Sequence, residues 1–374
     1  MEKIDTLLKK LSSDEWWERS SAIKTLLSVD EGLYLLFLEQ GLKNHENAVL
    51  RNASMEFYVA LGERALPSLI RLMKDDDPEA RIFAANLLGN IRSQRALPIL
   101  VEGLRDPDVN VRLASTEALG KIGSPSAVKP LSEVLPDEPW VAMAAIKSLG
   151  DIGGDEALSV LYQCLETDEY QGITFDAIEK AGDEKAIAHL IPFVDREEMR
   201  ELALKAVVNI ADRMGARLGP DFFTRHIPLL LDLQHSHDQG LRKAAFIALS
   251  RADDERGLPY FMEALNDEEL QEYAMNGLIA VGARAVDEIL AALRDHGRPQ
   301  RPVLAKALSM MGEHAALLPF AEDDDPEVRV EVVLALGEIP SMEKREILSR
   351  MLNDPEDEVR LAAGKMSQGL NRRV

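Results

Sequence analysis

The chain repeats a segment of about 30 residues, and this repetition constrains its fold more than any other feature. Residues 65–95 read ALPSLIRLMKDDDPEARIFAANLLGNIRSQR, and residues 96–126 read ALPILVEGLRDPDVNVRLASTEALGKIGSPS. Both segments open with Ala-Leu-Pro, and both reach a Leu-Gly pair near their ends. A period of this length marks a stack of supersecondary units rather than one globular core. Such a stack works through its surface and seldom builds a catalytic pocket.

Each unit predicts two helices joined by a short acidic loop. In residues 96–126, apolar residues recur at helical spacing before and after the loop 106–108. No stretch alternates polar and apolar residues over the length of a strand, so the sequence predicts an all-α protein. The repeat divides the chain into about twelve units: 3–31, 32–64, 65–95, 96–126, 127–156, 157–185, 186–225, 226–256, 257–284, 285–314, 315–343 and 344–374.

One interruption suggests two arms. Residues 213–220 hold two glycines and a proline, a composition typical of a loop rather than of a helix turn. We expect an N-terminal arm over residues 1–214 and a C-terminal arm over residues 215–374, continuous through this loop. The loop is either a hinge between the arms or an insertion that the surface tolerates at little cost.

Charge and composition narrow the classes of partner. The formal net charge is −22, which repels phosphate backbones, so nucleic acid is an unlikely partner. Cys164 is the sole cysteine, which excludes an intramolecular disulfide and favours a reducing compartment. The first residues lack the apolar stretch of a signal peptide, and no segment approaches the ~20 apolar residues that span a bilayer. The sequence therefore predicts a cytoplasmic protein with no membrane partner.

Three segments resemble a known repeat. They read DPDVNVRLASTEALGKIG (106–123), DDDPEVRVEVVLALGEI (323–339) and DPEDEVRLAAGKM (354–366). They resemble the short HEAT-like repeat, a type also found in phycobilin lyase subunits. The resemblance implies a right-handed α-solenoid of about twelve helix pairs, with first helices on the convex side and second helices on the concave side. It implies little about activity, since such repeats serve many roles.

Arginine and aspartate recur at fixed repeat positions. Six arginines occupy one repeat position: Arg81, Arg112, Arg242, Arg301, Arg329 and Arg360. Four of them have an aspartate six residues earlier: Asp75, Asp106, Asp323 and Asp354. Stacked units would align them into a ladder of charge-assisted hydrogen bonds between neighbouring repeats. The alternative is a row of arginines that binds a polyanion. The ladder is favoured because each arginine accompanies an aspartate and lies beside core-facing apolar residues.

A second set of positions predicts a stripe along the second helices, beside their buried faces. Three- and four-residue spacing places its members in one line. The candidate partner-binding residues are Trp17, Ile82, Leu113, Glu117, Trp140, Met143, Lys147 and Lys205. Aromatic and aliphatic residues beside lysines suit a protein-binding groove. The alternative is ordinary surface apolarity combined with packing between repeats. We further expect Trp16 to pack inside the first repeat while Trp17 is exposed.

The sequence offers no positive sign of catalysis, metal or cofactor. His235 and His237 form an incomplete set, since zinc ligands come in threes or fours. The aspartate runs 75–77 and 323–325 lack the pattern of a calcium loop and are better interpreted as helix N-caps. We therefore predict a non-enzymatic scaffold or adaptor that binds protein partners. Two alternatives stay open: chromophore attachment or a chaperone role like that of phycobilin lyase subunits, and nucleic-acid binding on a HEAT-like groove.

Overall fold

The structure is a computed structural model that describes residues 4–29, 34–44, 46–167, 169–295, 297, 299–337 and 343–371. These residues form 23 α-helices joined by short turns and 3₁₀ segments, and none of them lies in a strand. The all-α prediction is confirmed. Consecutive helices form twelve pairs along the described part of the chain, as the repeat predicts, and extensive contacts join the two helices in eleven of them.

The helices fall into two compact units, Met1–Ile210 and Ala211–Val374. The division lies within α14, shortly before the loop 213–220 that the sequence suggests. The first unit holds α1 Ile4–Lys10, α2 Trp16–Leu26, α3 Leu35–Leu42, α4 Ala48–Leu61, α5 Leu66–Leu72, α6 Pro78–Ile91, α7 Leu97–Gly103, α8 Val109–Ile122, α9 Val128–Glu133, α10 Pro139–Ile152, α11 Gly154–Leu165, α12 Gln171–Ala181, α13 Glu184–Val194 and most of α14 Arg200–Met214.

The second unit begins within α14. Its further helices are α15 Pro220–Asp232, α16 Gln239–Leu249, α17 Leu258–Ala264, α18 Gln271–Val281, α19 Val286–Leu293, α20 Arg301–Met310, α21 Pro326–Ala335, α22 Glu343–Met351 and α23 Asp357–Asn371. The first helix of the eleventh pair is a 3₁₀ helix, His314–Phe320, with a proline inside it. The eighth pair begins at Pro220, six residues before the sequence-derived unit boundary, because proline is tolerated in a first helical turn.

Aspartates cap several of the second helices, including those that follow the runs 75–77 and 323–325, as predicted. The Asp77 side chain accepts a hydrogen bond of 3.0 Å from the Glu79 backbone N–H, and Asp108 accepts one of 2.8 Å from Asn110. Asp325 caps α21 in the same way through Glu327. Each cap satisfies an amide that the helix leaves unpaired at its start.

Small residues bring neighbouring second helices close together. A Cβ atom added to Gly89 would meet Ala118 at 2.8 Å, and one added to Gly120 would meet the Ser148 side chain at 2.4 Å. Ser148 lies in the next second helix, and its hydroxyl donates to the backbone carbonyl of Thr116 at 3.1 Å. The repeated Leu-Gly pair of the sequence therefore marks a helix–helix contact with no room for a side chain.

Candidate protein-binding surface

The second helices of successive repeats pack side by side and form one layer. In the first unit α6 contacts α8, α8 contacts α10, and α10 contacts α12. Each buries one face against the first helices, where leucines such as Leu69, Leu100 and Leu131 are fully buried. Because the helices are amphipathic, their outer faces form a continuous surface across the layer.

The most apolar part of this surface lies on α10. Trp140 is 46% exposed and Met143 is 37% exposed, and Lys147 is exposed one turn further along the same helix. The buried residues Val141 and Ala145 hold the other face of α10 in the core. Spacing of three and four residues places the three outer side chains in one line along the helix.

The adjoining helices continue the line. Glu117 of α8 is exposed, and Leu113 of α8 and Ile82 of α6 are half-buried. These positions repeat the register of α10, and α6, α8 and α10 are neighbours in the layer. We call Ile82, Leu113, Glu117, Trp140, Met143 and Lys147 the central stripe.

Two of the predicted partner-binding residues lie apart from the central stripe. Trp17 is exposed on α2, and α4 lies between α2 and α6. Lys205 lies on α14, is half-buried, and forms an ion pair of 3.5 Å with Asp176 of α12. The structure therefore brings six of the eight candidates onto three neighbouring helices.

The expectation that Trp16 packs inside the first repeat is wrong. Trp16 is 67% exposed, at least as much as its neighbour Trp17 at 62%. The core of this repeat is made instead by leucines and by Ala22 and Ile23 of α2.

Arginine–aspartate pairs join neighbouring repeats near the N-terminal ends of the second helices. Arg81 donates two hydrogen bonds of 2.8 Å, from Nε and Nη2, to the carboxylate of Asp106 in the next repeat. Its Nη1 donates to the backbone carbonyl of Asp75 in its own repeat, at 2.8 Å. We call such a bidentate pair between repeats a closed rung. Each arginine thus fixes its own interhelix loop and the loop of the following repeat.

Two further closed rungs have the same geometry. Arg112 pairs with Asp137, and Arg329 pairs with Asp354, each through two hydrogen bonds of 2.8 Å. Asp137 escaped the sequence analysis because its loop lacks the Asp-Pro signature of the others. The signal is the separation of 25 residues that the three rungs share.

Two further arginines of the ladder are bonded differently. Arg301 pairs with Asp323 and with Asp324, so Asp323 accepts from the arginine one repeat earlier. The backbone carbonyl of Asp323 accepts from Arg329 at 2.7 Å. Arg360 of the last repeat donates to the backbone carbonyls of Asp354 and Pro355.

These pairs shift the protonation of their members. The hydrogen bonds from Arg112 hold the pKa of Asp137 below its ordinary value, and those from Arg329 do the same for the pKa of Asp354. Burial acts in the opposite direction on Asp323 and raises its pKa. The lowered pKa values favour the ionised form of Asp137 and Asp354, which keeps both hydrogen bonds of each of these rungs charge-assisted.

The second unit carries an apolar surface whose residues are not among the eight candidate partner-binding residues. Met310, Leu334 and Leu361 are 56%, 47% and 61% exposed, on the neighbouring helices α20, α21 and α23. Leu334 occupies the same repeat position as Glu117 of the central stripe. The repeat register alone could therefore have predicted that this leucine is exposed.

The described residues include neither a metal-binding cluster nor a membrane-spanning helix. No group of three or more histidine, cysteine, aspartate or glutamate side chains there is arranged to hold a metal ion. His235 instead lies 3.3 Å from the Tyr260 hydroxyl. No described helix is both long and apolar enough to cross a bilayer.

Comparisons with known proteins identify the repeat. A family model for HEAT repeats matches residues 66–140, 104–182 and 315–367. These segments contain all three closed rungs that join Arg81, Arg112 and Arg329 to the next repeats. A search of curated proteins finds no match.

Solved helical solenoids share the fold at low identity. Kap95p, described as binding RanGDP, is 14% identical with a TM-score of 0.56, over 99% of this chain and 62% of its own. Kap121p bound to Ste12p is 13% identical with a TM-score of 0.52, over 97% and 48%. The CpcE–CpcF complex of a phycocyanin lyase from a Nostoc species is 19% identical with a TM-score of 0.36, over 66% and 94%. At these identities the two karyopherin matches show the fold alone, and the third match, with its TM-score of 0.36, is too weak to show even that.

Proposed function

We propose that this chain, which carries HEAT repeats in both of its units, is a binding protein that holds a partner protein on the central stripe. The observation that carries the proposal is Trp140, which is 46% exposed beside Met143 on a helix packed between two others. A large aromatic side chain on a rigid support loses little conformational entropy when a partner covers it. Exposed tryptophan is therefore a common energetic anchor of protein interfaces.

The chemistry of the stripe defines the partner surface. Trp140 and Met143 suit an apolar side chain, and the methionine adapts its shape to the surface it meets. Lys147 adds one positive charge within a chain of net charge −22. A partner segment with an apolar residue followed one helix turn later by a carboxylate would match these groups.

Solenoids of similar fold support this proposal by example. Kap121p is described in complexes with Ste12p and with Pho4p. These complexes are properties of Kap121p, and they support the present proposal only in that a stack of this kind holds protein partners. The exposed groups of the central stripe carry the argument for this chain.

Binding rather than catalysis is what the residues support. The nucleic-acid-binding alternative is disfavoured because Lys205 and Lys180 are already paired with Asp176 and Asp151 of neighbouring helices. Pairing lowers the positive charge that these lysines offer to a nucleic-acid backbone. No contact of the central stripe favours chromophore attachment.

A crosslinking experiment tests the proposal. A photoreactive phenylalanine analogue at position 143, in cells of the native host, should capture a partner protein, whereas the same analogue at position 102 should not. Glu102 is an exposed residue of α7, on the other layer, and its 3.5 Å ion pair with Lys74 is solvated.

The affinity of the captured protein then decides the role of Trp140. Trp140→Ala should weaken its Kd by about 30-fold, the equivalent of ~2 kcal/mol for an interface anchor. Glu102→Ala should change the Kd less than twofold, and both variants should unfold at the urea concentration of the parent protein. Equal affinity of Trp140→Ala and the parent, or a loss of folding in Trp140→Ala, would refute the proposal.

A further inference from the structure

The second unit contains an arginine and an aspartate at the sequence positions of a closed rung, but no hydrogen bond joins their side chains. We call these two residues the halves of an open rung. In the closed rungs the arginine and the aspartate are 25 residues apart. The same separation relates Arg242 of α16 to Asp267, which follows α17. Among the described residues, however, Arg242 makes one side-chain hydrogen bond, from Nη1 to the Ser236 carbonyl at 3.2 Å.

Each half adopts the geometry that it has in a closed rung. The bond from Arg242 to Ser236 corresponds to the bond of 3.1 Å from Arg112 Nη1 to the Asp106 carbonyl. Asp267 Oδ1 accepts from the backbone N–H two residues later at 2.9 Å, as Asp106 Oδ1 does. The guanidinium edge and the carboxylate are thus both oriented, and each lacks its usual counterpart.

Both halves, Arg242 and Asp267, line one groove of about 1040 Å³. Its volume is slightly above the range of roughly 300–1,000 Å³ usual for ligand sites. Phe246 is a buried part of its lining, and Tyr260 and His235 add ring surfaces. The groove therefore combines an apolar base with two oriented groups of opposite charge.

The other charges of the groove define what fits between them. Lys243 is already paired with Glu269, at 2.9 Å. A simple anion would be attracted by Arg242 but repelled by Asp267 and Glu263. A simple cation would be attracted by the two carboxylates but repelled by Arg242. A group with both charges satisfies the two halves together.

The geometry points to a second binding site in this groove, for a peptide segment that presents a carboxylate to Arg242 and a basic side chain to Asp267. The carboxylate takes the place of the missing aspartate in a bidentate pair, and the basic group takes the place of the missing arginine. The site lies in the second unit, and the proposal that it binds a peptide does not depend on the proposal for the central stripe.

The probe is N-acetyl-L-arginine, which carries one carboxylate and one guanidinium and has no free ammonium. Isothermal titration or NMR titration of the full chain should show binding. Two matched probes each lack one charge: N-acetyl-L-argininamide has no carboxylate, and N-acetyl-L-norleucine has no guanidinium. Each should bind at least fivefold more weakly.

Variants locate the probe. Arg242→Ala and Asp267→Asn should each weaken binding of N-acetyl-L-arginine at least fivefold, and Arg242→Lys should weaken it less than Arg242→Ala. Arg256→Ala is the control, because Arg256 is exposed and pairs with Asp254 outside the groove. Absence of binding to the parent chain, or equal binding to the parent and to both groove variants, would overturn the proposal.

A double-mutant cycle tests the open geometry itself. Arg242→Ala and Asp267→Ala should affect stability additively when no ligand is present, whereas Arg112→Ala and Asp137→Ala should be strongly coupled. Coupling of the first pair as strong as that of the second would mean that the rung is closed in solution, and the site would not exist.

Discussion

Arg112 of α8 donates two parallel hydrogen bonds, each 2.8 Å long, to the carboxylate of Asp137 in the following repeat. The two side chains are 19% and 17% exposed, so water screens the pair only partly. A third bond from Arg112 to the Asp106 carbonyl fixes the guanidinium within its own repeat. One side chain therefore links two loops, and its removal should loosen both.

We expect Arg112→Ala to destabilise the first unit by about 1–3 kcal/mol, because it leaves Asp137 half-buried without a counter-charge. The measurement is the urea midpoint of the full chain, with hydrogen exchange of the α8–α10 peptides to locate the effect. Arg105→Ala is the control, since Arg105 is 76% exposed and its contact with Glu133 is solvated. Equal midpoints for the two variants would contradict a stabilising rung.

The repeat architecture was predictable, but the partners within the rungs were only partly so. Arginine recurs beside buried valines, such as Val111, and this pattern indicates a fixed structural position. The carboxylate that each arginine binds depends on how neighbouring repeats stack. Asp137 was therefore missed, although it follows Arg112 by 25 residues, the separation found in the other closed rungs. An open rung such as Arg242 and Asp267 has the sequence of a closed one and was visible only in three dimensions.

The surface was less predictable than the core. The register of the second helices follows from apolar periodicity, and it placed Trp140 and Met143 beside the buried face, where the structure has them exposed. The same register does not say which of two adjacent residues packs against the core. Trp16 was expected to pack and is exposed, as its neighbour Trp17 is.

Acid should remove the contribution of the Asp137 rung. The pKa of Asp137 is lowered below its ordinary value of 3.8 by the hydrogen bonds from Arg112. The stability it provides is therefore present above the unfolded-state pKa and lost as the pH falls through the lower folded-state pKa. Asp137→Asn should be less stable than the parent at neutral pH, and the difference should shrink below pH 3.8. Urea midpoints measured across this range check it. A difference independent of pH would show that the carboxylate charge contributes nothing.

The glycine contacts predict opposite effects of the same substitution. Gly120→Ala places a methyl group 2.4 Å from the Ser148 hydroxyl oxygen and 2.9 Å from its Cα atom, so α8 and α10 must separate. We expect a net loss of about 1–2 kcal/mol, because overpacking outweighs the gain in helix propensity. Gly172→Ala in α12 meets no atom within 4 Å and should stabilise by up to ~1 kcal/mol. Urea unfolding of both variants measures the difference. A stabilised Gly120→Ala would mean that the two helices are not in close contact.

The tryptophans offer a spectroscopic check on the exposed surfaces. The chain has three, Trp16, Trp17 and Trp140, and they are 67%, 62% and 46% exposed. Because water surrounds much of each indole ring, the emission maximum of the folded protein should lie close to that of the urea-unfolded chain, and iodide should quench this emission readily.

The Trp16→Phe/Trp17→Phe double variant isolates Trp140. Iodide should quench Trp140 less than the N-terminal pair because Trp140 is the least exposed of the three tryptophans. Its emission should shift to shorter wavelength when the captured partner covers the central stripe. Blue-shifted, iodide-resistant emission from Trp140 in the free protein would instead place this residue in the core and remove the anchor on which the proposed interface depends.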